Sequence, residues 1–256
     1  MIKCVALDID DTLIQTSRAQ GEAMRRLAEY LEKKSTLACL EGRVFSTLET
    51  IISYFGTGNE QEFLYALCFE GGKRGTDLEQ MVKEVSEYYG NQFFSLLKPF
   101  PQCEVLLEEL AALGVSLGII SNGQEELQNL KLASTGLYRY FPFPERILIS
   151  SSLGQAADKP SPVMYHHFIE KSHCLPWEVL FVGDKLSDIV GANLAGMISV
   201  WVLQGKTEKY RHEEFRPSLR IEKADYVIQE IGALSTILQK HTSERRAQGS
   251  LPGPRP

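Results

Sequence analysis

Three aspartates follow the first apolar run of the chain within four positions. Residues 4–7 (Cys-Val-Ala-Leu) have the composition of a buried strand, and Asp8, Asp10 and Asp11 come directly after it. Two carboxylates held 4 Å apart repel each other by roughly 4 kcal/mol at an effective dielectric constant near 20. Folding alone does not account for such a cluster. We therefore expect a hard divalent cation and a charged substrate among these side chains, which makes this segment the candidate active site.

Other residues with useful chemistry also stand where apolar runs end, or just ahead of a helix. In an open parallel sheet, ligands bind in the crevice beyond the carboxyl ends of the strands. Because those ends meet at one edge, residues distant in the sequence are brought together there. The residues that we expect at this edge are Asp8, Asp10, Ser121, Asn122, Lys159, Asp184 and Asp188.

The chemistry that this set supports best is hydrolysis of a phosphate monoester. That reaction needs a nucleophile, a proton donor for the leaving oxygen, and neutralisation of the phosphate charge. Asp8 is suited to attack phosphorus and form an aspartyl-phosphate. Asp10 would protonate the leaving oxygen and then activate water. Lys159 would add a fixed positive charge, so Asp8, Asp10 and Lys159 are the candidate catalytic residues.

The remaining phosphoryl oxygens need hydrogen-bond donors. The Ser121 hydroxyl and backbone N–H groups near Asn122 and Asp11 are the candidates. Thr12 is better suited to bracing the loop than to reacting. The predicted phosphate-binding residues are Asp11, Thr12, Ser121, Asn122 and Lys159.

The pattern of apolar residues predicts the elements that position these groups. Short apolar runs rich in β-branched residues predict strands over 4–7, 115–120, 147–149, 179–182, 199–203 and 226–228. Apolar residues at helical spacing predict intervening helices over 101–113, 162–171 and 188–195. Nearly continuous apolar strands alternating with helices are typical of a parallel sheet covered on both faces. The predicted fold is therefore α/β, with a doubly wound, Rossmann-like parallel sheet as its core.

Residues 16–97 break this alternation, because they contain no convincing strand and several helical patterns. The stretch is far longer than one crossover requires. We therefore predict an inserted α-helical domain over 16–97 and a core formed by 1–15 and 98–240. Residues 241–256 lose hydrophobic periodicity and gain Pro, Gly and charge, which predicts a disordered tail.

The bulk composition excludes several function classes. A net charge of −6 argues against nucleic-acid binding, which favours a basic face. No stretch approaches the ~20 apolar residues that span a bilayer, and no secretory signal is visible, so we predict a cytoplasmic protein without a membrane partner. Five scattered cysteines without a CxxC pair predict reduced thiols. The sequence does not fix the oligomeric state, and a homodimer stays open.

Four motifs, in this order, resemble those of the haloacid dehalogenase superfamily. The DxDxT signature corresponds to residues 8–12 and the strand-end serine to Ser121. The lysine motif corresponds to residues 159–162 (Lys-Pro-Ser-Pro), and GDxxxD corresponds to residues 183–188. Each motif is weak alone, but four in sequence at this spacing are specific. The resemblance covers the predicted core and not the helical insertion.

The resemblance also implies a cofactor and a role for the insertion. It implies a Mg²⁺ ion ligated by Asp8, the backbone carbonyl of Asp10 and Asp184, with Asp188 close behind. Mg²⁺ suits such a set because it prefers oxygen ligands in octahedral geometry. The helical insertion resembles the cap that one large subgroup of the family places after the first motif.

The sequence thus predicts a Mg²⁺-dependent phosphatase acting on a small phosphorylated metabolite, with the cap closing over the substrate. A 2-haloacid dehalogenase has no leaving oxygen to protonate, and enzymes of that branch lack the second acid, which is Asp10 here. A phosphonate hydrolase needs a cap lysine that forms a Schiff base, and no lysine of the insertion is singled out. A sugar phosphomutase shares all four motifs and stays open. A non-catalytic binding module would be free to lose Asp8, Asp10 or Lys159, and this chain retains all three.

Overall fold

The computed structural model describes residues 1–56, 59–204 and 218–248. It contains a six-stranded parallel sheet with the strand order β3-β2-β1-β4-β5-β6. The strands are β1 (Cys4–Leu7), β2 (Ser116–Ser121), β3 (Ile147–Ile149), β4 (Val179–Gly183), β5 (Ile198–Val202) and β6 (Tyr226–Ile228). The predicted α/β fold with a doubly wound parallel sheet is confirmed, and every predicted strand lies within one residue of its observed bounds.

Helices connect the strands and form the insertion. They are α1 (Thr16–Lys34), α2 (Val44–Phe55), α3 (Glu60–Glu70), α4 (Gly75–Leu96), α5 (Cys103–Ala112), α6 (Glu125–Ser134), α7 (Ser150–Leu153), α8 (Val163–Ser172), α9 (Leu186–Leu194) and α10 (Leu234–Gln248). No helix in the described part of the chain is long and apolar enough to cross a membrane.

The register of the central strands aligns their carboxyl ends. Leu7 of β1 pairs with Ile119 of β2 on one side and with Val182 of β4 on the other. The residues that follow these three positions therefore come to the same edge of the sheet. All residues of β1 and β4 are buried, as expected for central strands of a sheet that is covered on both faces.

One face of the sheet packs against helix α8. Met164, Tyr165 and Phe168 of this helix are fully buried against β1, β2 and β4. The Tyr165 ring meets the Phe181 ring of β4 edge-on, with 4.9 Å between their centroids. A glycine is required at position 118 of β2, because a Cβ atom there would lie 2.3 Å from the Phe168 ring. This close packing fixes the sheet edge that carries the candidate site.

The chain divides into two compact units. One comprises Met1–Gln15 together with the described residues from Pro99 onward, and the other comprises Thr16–Lys98. The second unit contains helices α1 to α4 and has its own buried core. In that core Phe63 meets Tyr89 edge-on at 5.8 Å, and outside it the half-buried Tyr30 and Tyr88 stack at 4.1 Å between ring centroids.

The end of the chain departs from its prediction. Helix α10 continues through Gln248, into the segment that the sequence predicts to be disordered from residue 241. The polar stretch 242–248 is rich in Glu, Arg, Ala and Gln, which are good helix formers even without an apolar stripe. The start of the predicted tail is therefore corrected, and residues 249–256 lie outside the described residues.

Candidate active site

The turn after β1 carries the first group of candidate residues. The Asp8 N–H donates to the Val182 carbonyl at 3.0 Å, which continues the sheet pairing by one residue. The chain then turns sharply, with Asp11 at a positive φ of 58°. The Asp11 N–H donates to the Ile14 carbonyl at 2.8 Å. This bond engages the N–H group of Asp11 within the turn, and the assignment of backbone N–H groups near Asp11 as phosphate donors stays a prediction.

Three buried carboxylates converge at the sheet edge. Asp8, Asp184 and Asp188 each place a carboxylate oxygen within 4.8 Å of the other two. Their exposed fractions are only 2%, 1% and 0%. At an effective dielectric constant near 20, two full charges at that distance repel by about 3.5 kcal/mol, so the cluster needs a compensating cation.

Lys159 supplies part of that compensation. Its Nζ lies 2.8 Å from Asp8 Oδ1 and 2.6 Å from Asp188 Oδ1, and the side chain is almost completely buried. Burial alone would lower the pKa of Lys159, but the charges of Asp188 and Asp8 outweigh it and raise the pKa above its usual value. Lys159 is therefore a permanent cation that bridges two of the three acids.

Asp184 is the least compensated member of the cluster. Burial, followed by the charges of Asp188 and Asp8, raises the pKa of Asp184 to about 8. Its Oδ1 is buried and has no hydrogen-bond partner among the residues that the structure describes. A buried carboxylate in this state is only partly compensated, because the charge of Lys185 lowers the pKa of Asp184 by less than burial and the neighbouring acids raise it. An all-oxygen set with an unpaired carboxylate oxygen fits a hard divalent ion such as Mg²⁺.

The backbone of the strand-to-helix connection holds Asp184 and Asp188 in place. The Trp201 indole N–H donates to the Asp184 carbonyl at 2.9 Å, and the Lys185 N–H donates to Asp188 Oδ2 at 2.9 Å. Gly183 permits the approach of Asp188, since a Cβ atom at 183 would lie 2.4 Å from its carboxyl carbon. The glycine of the GDxxxD motif is therefore required because any larger residue would collide with the second aspartate of the motif.

The side chain of Asn122 contacts the backbone of Lys159. Its Oδ1 accepts the Lys159 N–H at 2.8 Å, and its Nδ2 donates to the Lys159 carbonyl at 3.4 Å. Both ends of the amide are therefore used to hold the backbone that carries the lysine. The Asn122 side chain therefore positions Lys159, and the backbone N–H groups near Asn122 stay predicted phosphate donors.

Gln128 links Asp10 to Ser121 and Lys131 pairs with Asp10, and the sequence analysis missed both of these residues. Lys131 Nζ lies 2.7 Å from Asp10 Oδ1, and Gln128 Nε2 donates to Asp10 Oδ2 at 2.9 Å. The same Gln128 nitrogen lies 2.9 Å from Ser121 Oγ. Both new residues lie on α6, for which the sequence analysis predicted no element. The available signal was a polar pair at i and i+3 directly after the Ser-Asn-Gly motif.

Thr12 lies in the same turn as Asp11 and is fully buried. Its carbonyl accepts a hydrogen bond from Gln204 Nε2 at 2.6 Å, which fits the predicted bracing of the loop. Its hydroxyl oxygen has no hydrogen-bond partner within the described ranges.

The contacts described above join most of the predicted residues into one network. They are Asp8, Asp10, Ser121, Asn122, Lys159, Asp184 and Asp188.

Comparison with known proteins agrees with this geometry. The family model described as haloacid dehalogenase-like hydrolase matches residues 5–202. A glyceraldehyde 3-phosphate phosphatase from Methanothermobacter thermautotrophicus is 30% identical over 241 residues, which covers 93% of this chain and all of the relative. A phosphoserine phosphatase from Thermus thermophilus is 29% identical over 254 aligned positions, covering 86% of this chain and 95% of the relative.

Solved structures agree on the fold. The crystal structure of a putative β-phosphoglucomutase from Thermotoga maritima superposes with a TM-score of 0.65. It shares 20% sequence identity, and the match covers 93% of this chain and 99% of that one. The family model spans strands β1 to β5 apart from Cys4, together with the acidic cluster and Lys159. This chain belongs to the haloacid dehalogenase-like hydrolase family.

Proposed function

We propose that this protein is a phosphatase that hydrolyses a small phosphorylated metabolite through an aspartyl-phosphate on Asp8. The observation that carries the proposal is the buried Asp8 carboxylate, paired with Lys159 at 2.8 Å and grouped with Asp184 and Asp188. The two relatives described above are named as phosphatases, which supports the same reaction class.

In the first step, Asp8 attacks the phosphorus atom and the bond to the leaving oxygen breaks. Asp10 donates a proton to that oxygen, so the product leaves as an alcohol. Lys159 contacts Asp8 directly and stabilises the negative charge that gathers around the phosphoryl group. The Ser121 hydroxyl, at the end of β2, donates to a phosphoryl oxygen.

In the second step, water attacks the aspartyl-phosphate. Asp10, now a carboxylate, accepts the proton from water, and the phosphorus–oxygen bond to Asp8 breaks. Inorganic phosphate forms and Asp8 is regenerated. The Asn122 side chain takes part only indirectly, since it keeps Lys159 in position through both ends of its amide.

The residues that would hold Mg²⁺ are Asp8, Asp184 and the backbone carbonyl of Asp10, with Asp188 behind them. When bound, the ion supplies positive charge that offsets the carboxylate repulsion and the charge of the phosphate. The unpaired buried oxygen of Asp184 supports this assignment. Asp188 is better placed to orient Lys159, which it contacts at 2.6 Å.

The remaining parts of the proposal rest on the sequence and on the family. The unit Thr16–Lys98 retains the role of a cap that excludes water, which the resemblance implies. The relatives are named for three-carbon phosphates, so we propose a short-chain phosphate monoester as substrate. The prediction of a cytoplasmic location rests on the sequence alone, and the oligomeric state stays open.

Turnover of 4-nitrophenyl phosphate tests the proposal. The native protein should release nitrophenol with Mg²⁺ and lose that activity in EDTA. Asp8→Asn removes the nucleophile and should lower kcat at least 10³-fold, by analogy with the loss of other covalent nucleophiles. The matched control is Glu145→Gln, the same carboxylate-to-amide change at an exposed site ahead of β3. Equal rates for native, EDTA-treated and Asp8→Asn protein would refute the proposal.

A sugar phosphomutase would use the same carboxylates but return the phosphoryl group to a second hydroxyl of the substrate. The product then retains its phosphate. Release of inorganic phosphate in proportion to substrate consumed supports the phosphatase. A phosphorylated isomer without free phosphate would identify the mutase.

A further inference from the structure

We propose that Lys131 and Gln128 are positioning residues that hold the Asp10 carboxylate in its catalytic orientation. This inference rests on the proposed function, because it gives Asp10 the role of proton donor and acceptor. It concerns a different question, namely what fixes that carboxylate in space. The two residues lie on α6 at i and i+3, so both side chains leave the helix on the same face.

Burial makes the Lys131 contact different from a surface ion pair. The Lys131 side chain is 7% exposed, whereas that of Asp10 is 21% exposed. Burial of an ammonium group costs free energy unless the group is paired. The 2.7 Å contact with Asp10 provides that pairing for Lys131. The exposed fractions also indicate which of the two side chains lies nearer to the substrate. Asp10 is the more exposed of the two, so we place Asp10 towards the substrate and Lys131 behind it.

Gln128 connects Asp10 to the phosphate-binding side of the site. Its Nε2 lies 2.9 Å from each of three acceptors, Asp10 Oδ2, Ser121 Oγ and the Asn122 carbonyl. An amide nitrogen has two hydrogens, so these acceptors compete for two bonds. The Ser121 hydroxyl donates to the Asn122 carbonyl at 3.4 Å, and when Gln128 donates to Ser121 Oγ the hydroxyl hydrogen can turn from that long contact to a phosphoryl oxygen.

Together the two residues engage both oxygens of Asp10. Lys131 holds Oδ1 and Gln128 holds Oδ2, which restricts rotation of the carboxylate. A misplacement of about 1 Å at a catalytic group can cost about 10²-fold in rate. Loss of Lys131 should therefore lower kcat and leave substrate binding nearly unchanged. Loss of Gln128 should affect both, because it also orients Ser121.

The test compares Lys131→Met, Lys131→Arg and Gln128→Met with the native protein. Substrates are 4-nitrophenyl phosphate, whose leaving group needs little protonation, and an alkyl phosphate, whose leaving group needs it. We expect Lys131→Met to lower kcat on the alkyl phosphate about 10- to 100-fold and to leave KM within about twofold. Lys131→Arg keeps the charge and should recover part of that loss. Gln128→Met should also weaken inhibition by inorganic phosphate.

A double-mutant cycle with Asp10→Asn separates positioning from other effects. If Lys131 acts through Asp10, Lys131→Met should cause no further loss in the Asp10→Asn background. An equal loss in both backgrounds, or a native rate for Lys131→Met on the alkyl phosphate, would overturn the inference. The matched control is Lys171→Met, at an exposed lysine in the last turn of α8.

The outcomes also distinguish this inference from the proposed function. A native protein that turns over phosphate esters, with all three variants at its rate, refutes the positioning role alone. A native protein without turnover refutes the proposed function and this inference with it. If Lys131→Met fails to fold, by tryptophan fluorescence, Gln128→Met and Lys131→Arg decide the question. Both must then show a larger loss on the alkyl than on the aryl phosphate.

Discussion

Replacement of Asp184 by Asn should stabilise the metal-free protein while abolishing its activity. The change keeps the shape of the side chain and removes one negative charge from the acidic cluster. In the native protein the Asp184 carboxylate is buried and one of its oxygens has no hydrogen-bond partner among the described residues. A carboxylate oxygen of Asp184 also lies within 4.8 Å of oxygens of Asp8 and Asp188. The residue that is most costly to fold without an ion is therefore one that the function requires.

The size of the effect follows from the pKa of Asp184, which burial and the neighbouring acids raise from 3.8 to about 8. A folded-state pKa above the unfolded one means that the folded protein binds the proton more tightly. The free energy of unfolding should therefore be about 4 kcal/mol lower at pH 7 than at a pH where Asp184 is protonated in both states. The contribution of proton binding at Asp184 to the free energy of unfolding is fully present below pH 3.8, and it is lost as pH rises towards 8.

The amide of the Asp184→Asn variant does not ionise, so the variant should not show this loss. Without metal at pH 7.5, we expect the variant to be about 2–4 kcal/mol more stable than the native protein. At pH 4 the difference should nearly vanish. Mg²⁺ at 100 times its Kd should stabilise the native protein by about 2.7 kcal/mol, and the variant far less. Activity of the variant should fall at least 10²-fold.

Urea denaturation followed by tryptophan fluorescence is a suitable assay. The chain has two tryptophans, Trp177 and Trp201, and both belong to the unit that carries the site. The Trp201 indole donates to the Asp184 carbonyl, a backbone contact that the substitution leaves intact. The signal therefore reports on this unit even where the helical unit unfolds separately. Glu145→Gln again controls for loss of one carboxylate.

Two results would refute the electrostatic reasoning. The first is a metal-free native protein whose stability does not fall between pH 4 and pH 8. The second is an Asp184→Asn variant that Mg²⁺ stabilises as much as it stabilises the native protein. The first result would mean that repulsion among the buried carboxylates does not destabilise the fold. The second would mean that Asp184 does not bind the ion.

Two further predictions follow from contacts in the same cluster. Lys159→Met leaves Asp8 and Asp188 without their buried cation, and we expect a loss of about 3–5 kcal/mol in urea denaturation. Turnover of 4-nitrophenyl phosphate should fall at least 10²-fold, and a stable, active variant would contradict the role of the lysine. Gly183→Ala places a Cβ atom 2.4 Å from the Asp188 carboxyl carbon, so it should lower both stability and activity. Gly90→Ala, in open space within α4, should retain activity and gain up to about 1 kcal/mol by circular dichroism.

The sheet could be predicted because each strand has a strong local signal. Strands buried on both faces are continuous apolar runs, and the runs at 4–7 and 179–182 have no competing helical pattern. Because paired parallel strands run in the same direction, their carboxyl ends lie at the same edge of the sheet. This can be predicted without information on side-chain contacts. The grouping of Asp8 with Asp184 follows from this rule alone.

Helix α6 could not be predicted in the same way, because its polarity is reversed. Gln128 and Lys131 are buried, while Leu130 between them is 48% exposed. The hydrophobic period that identifies other helices therefore gives no amphipathic face here. The buried polar side chains are explained by their partner Asp10, which is more than a hundred residues away along the chain. A sequence pattern contains no record of that contact.

The role of Asn122 shows the same limit. Its position after a strand predicts backbone phosphate donors nearby but not the partner of its side chain, and the structure uses both ends of its amide on the backbone of Lys159. The choice depends on where the lysine segment lies, which strand order alone does not determine. Residue type and spacing thus identified the edge of the sheet, and tertiary contacts decided which side chains face a ligand and which hold others.

The charge balance of the cluster constrains how the site works. With every group ionised, Asp8, Asp184, Asp188 and Lys159 give a formal charge of −2 in a buried volume, which Lys185 beside them reduces to −1. A phosphate monoester is itself an anion, so it enters a site that repels it unless a divalent cation is present. The repulsion that destabilises the metal-free fold is therefore the same one that opposes substrate binding. Substrate affinity, and not only the rate of the chemical step, should depend on the cation.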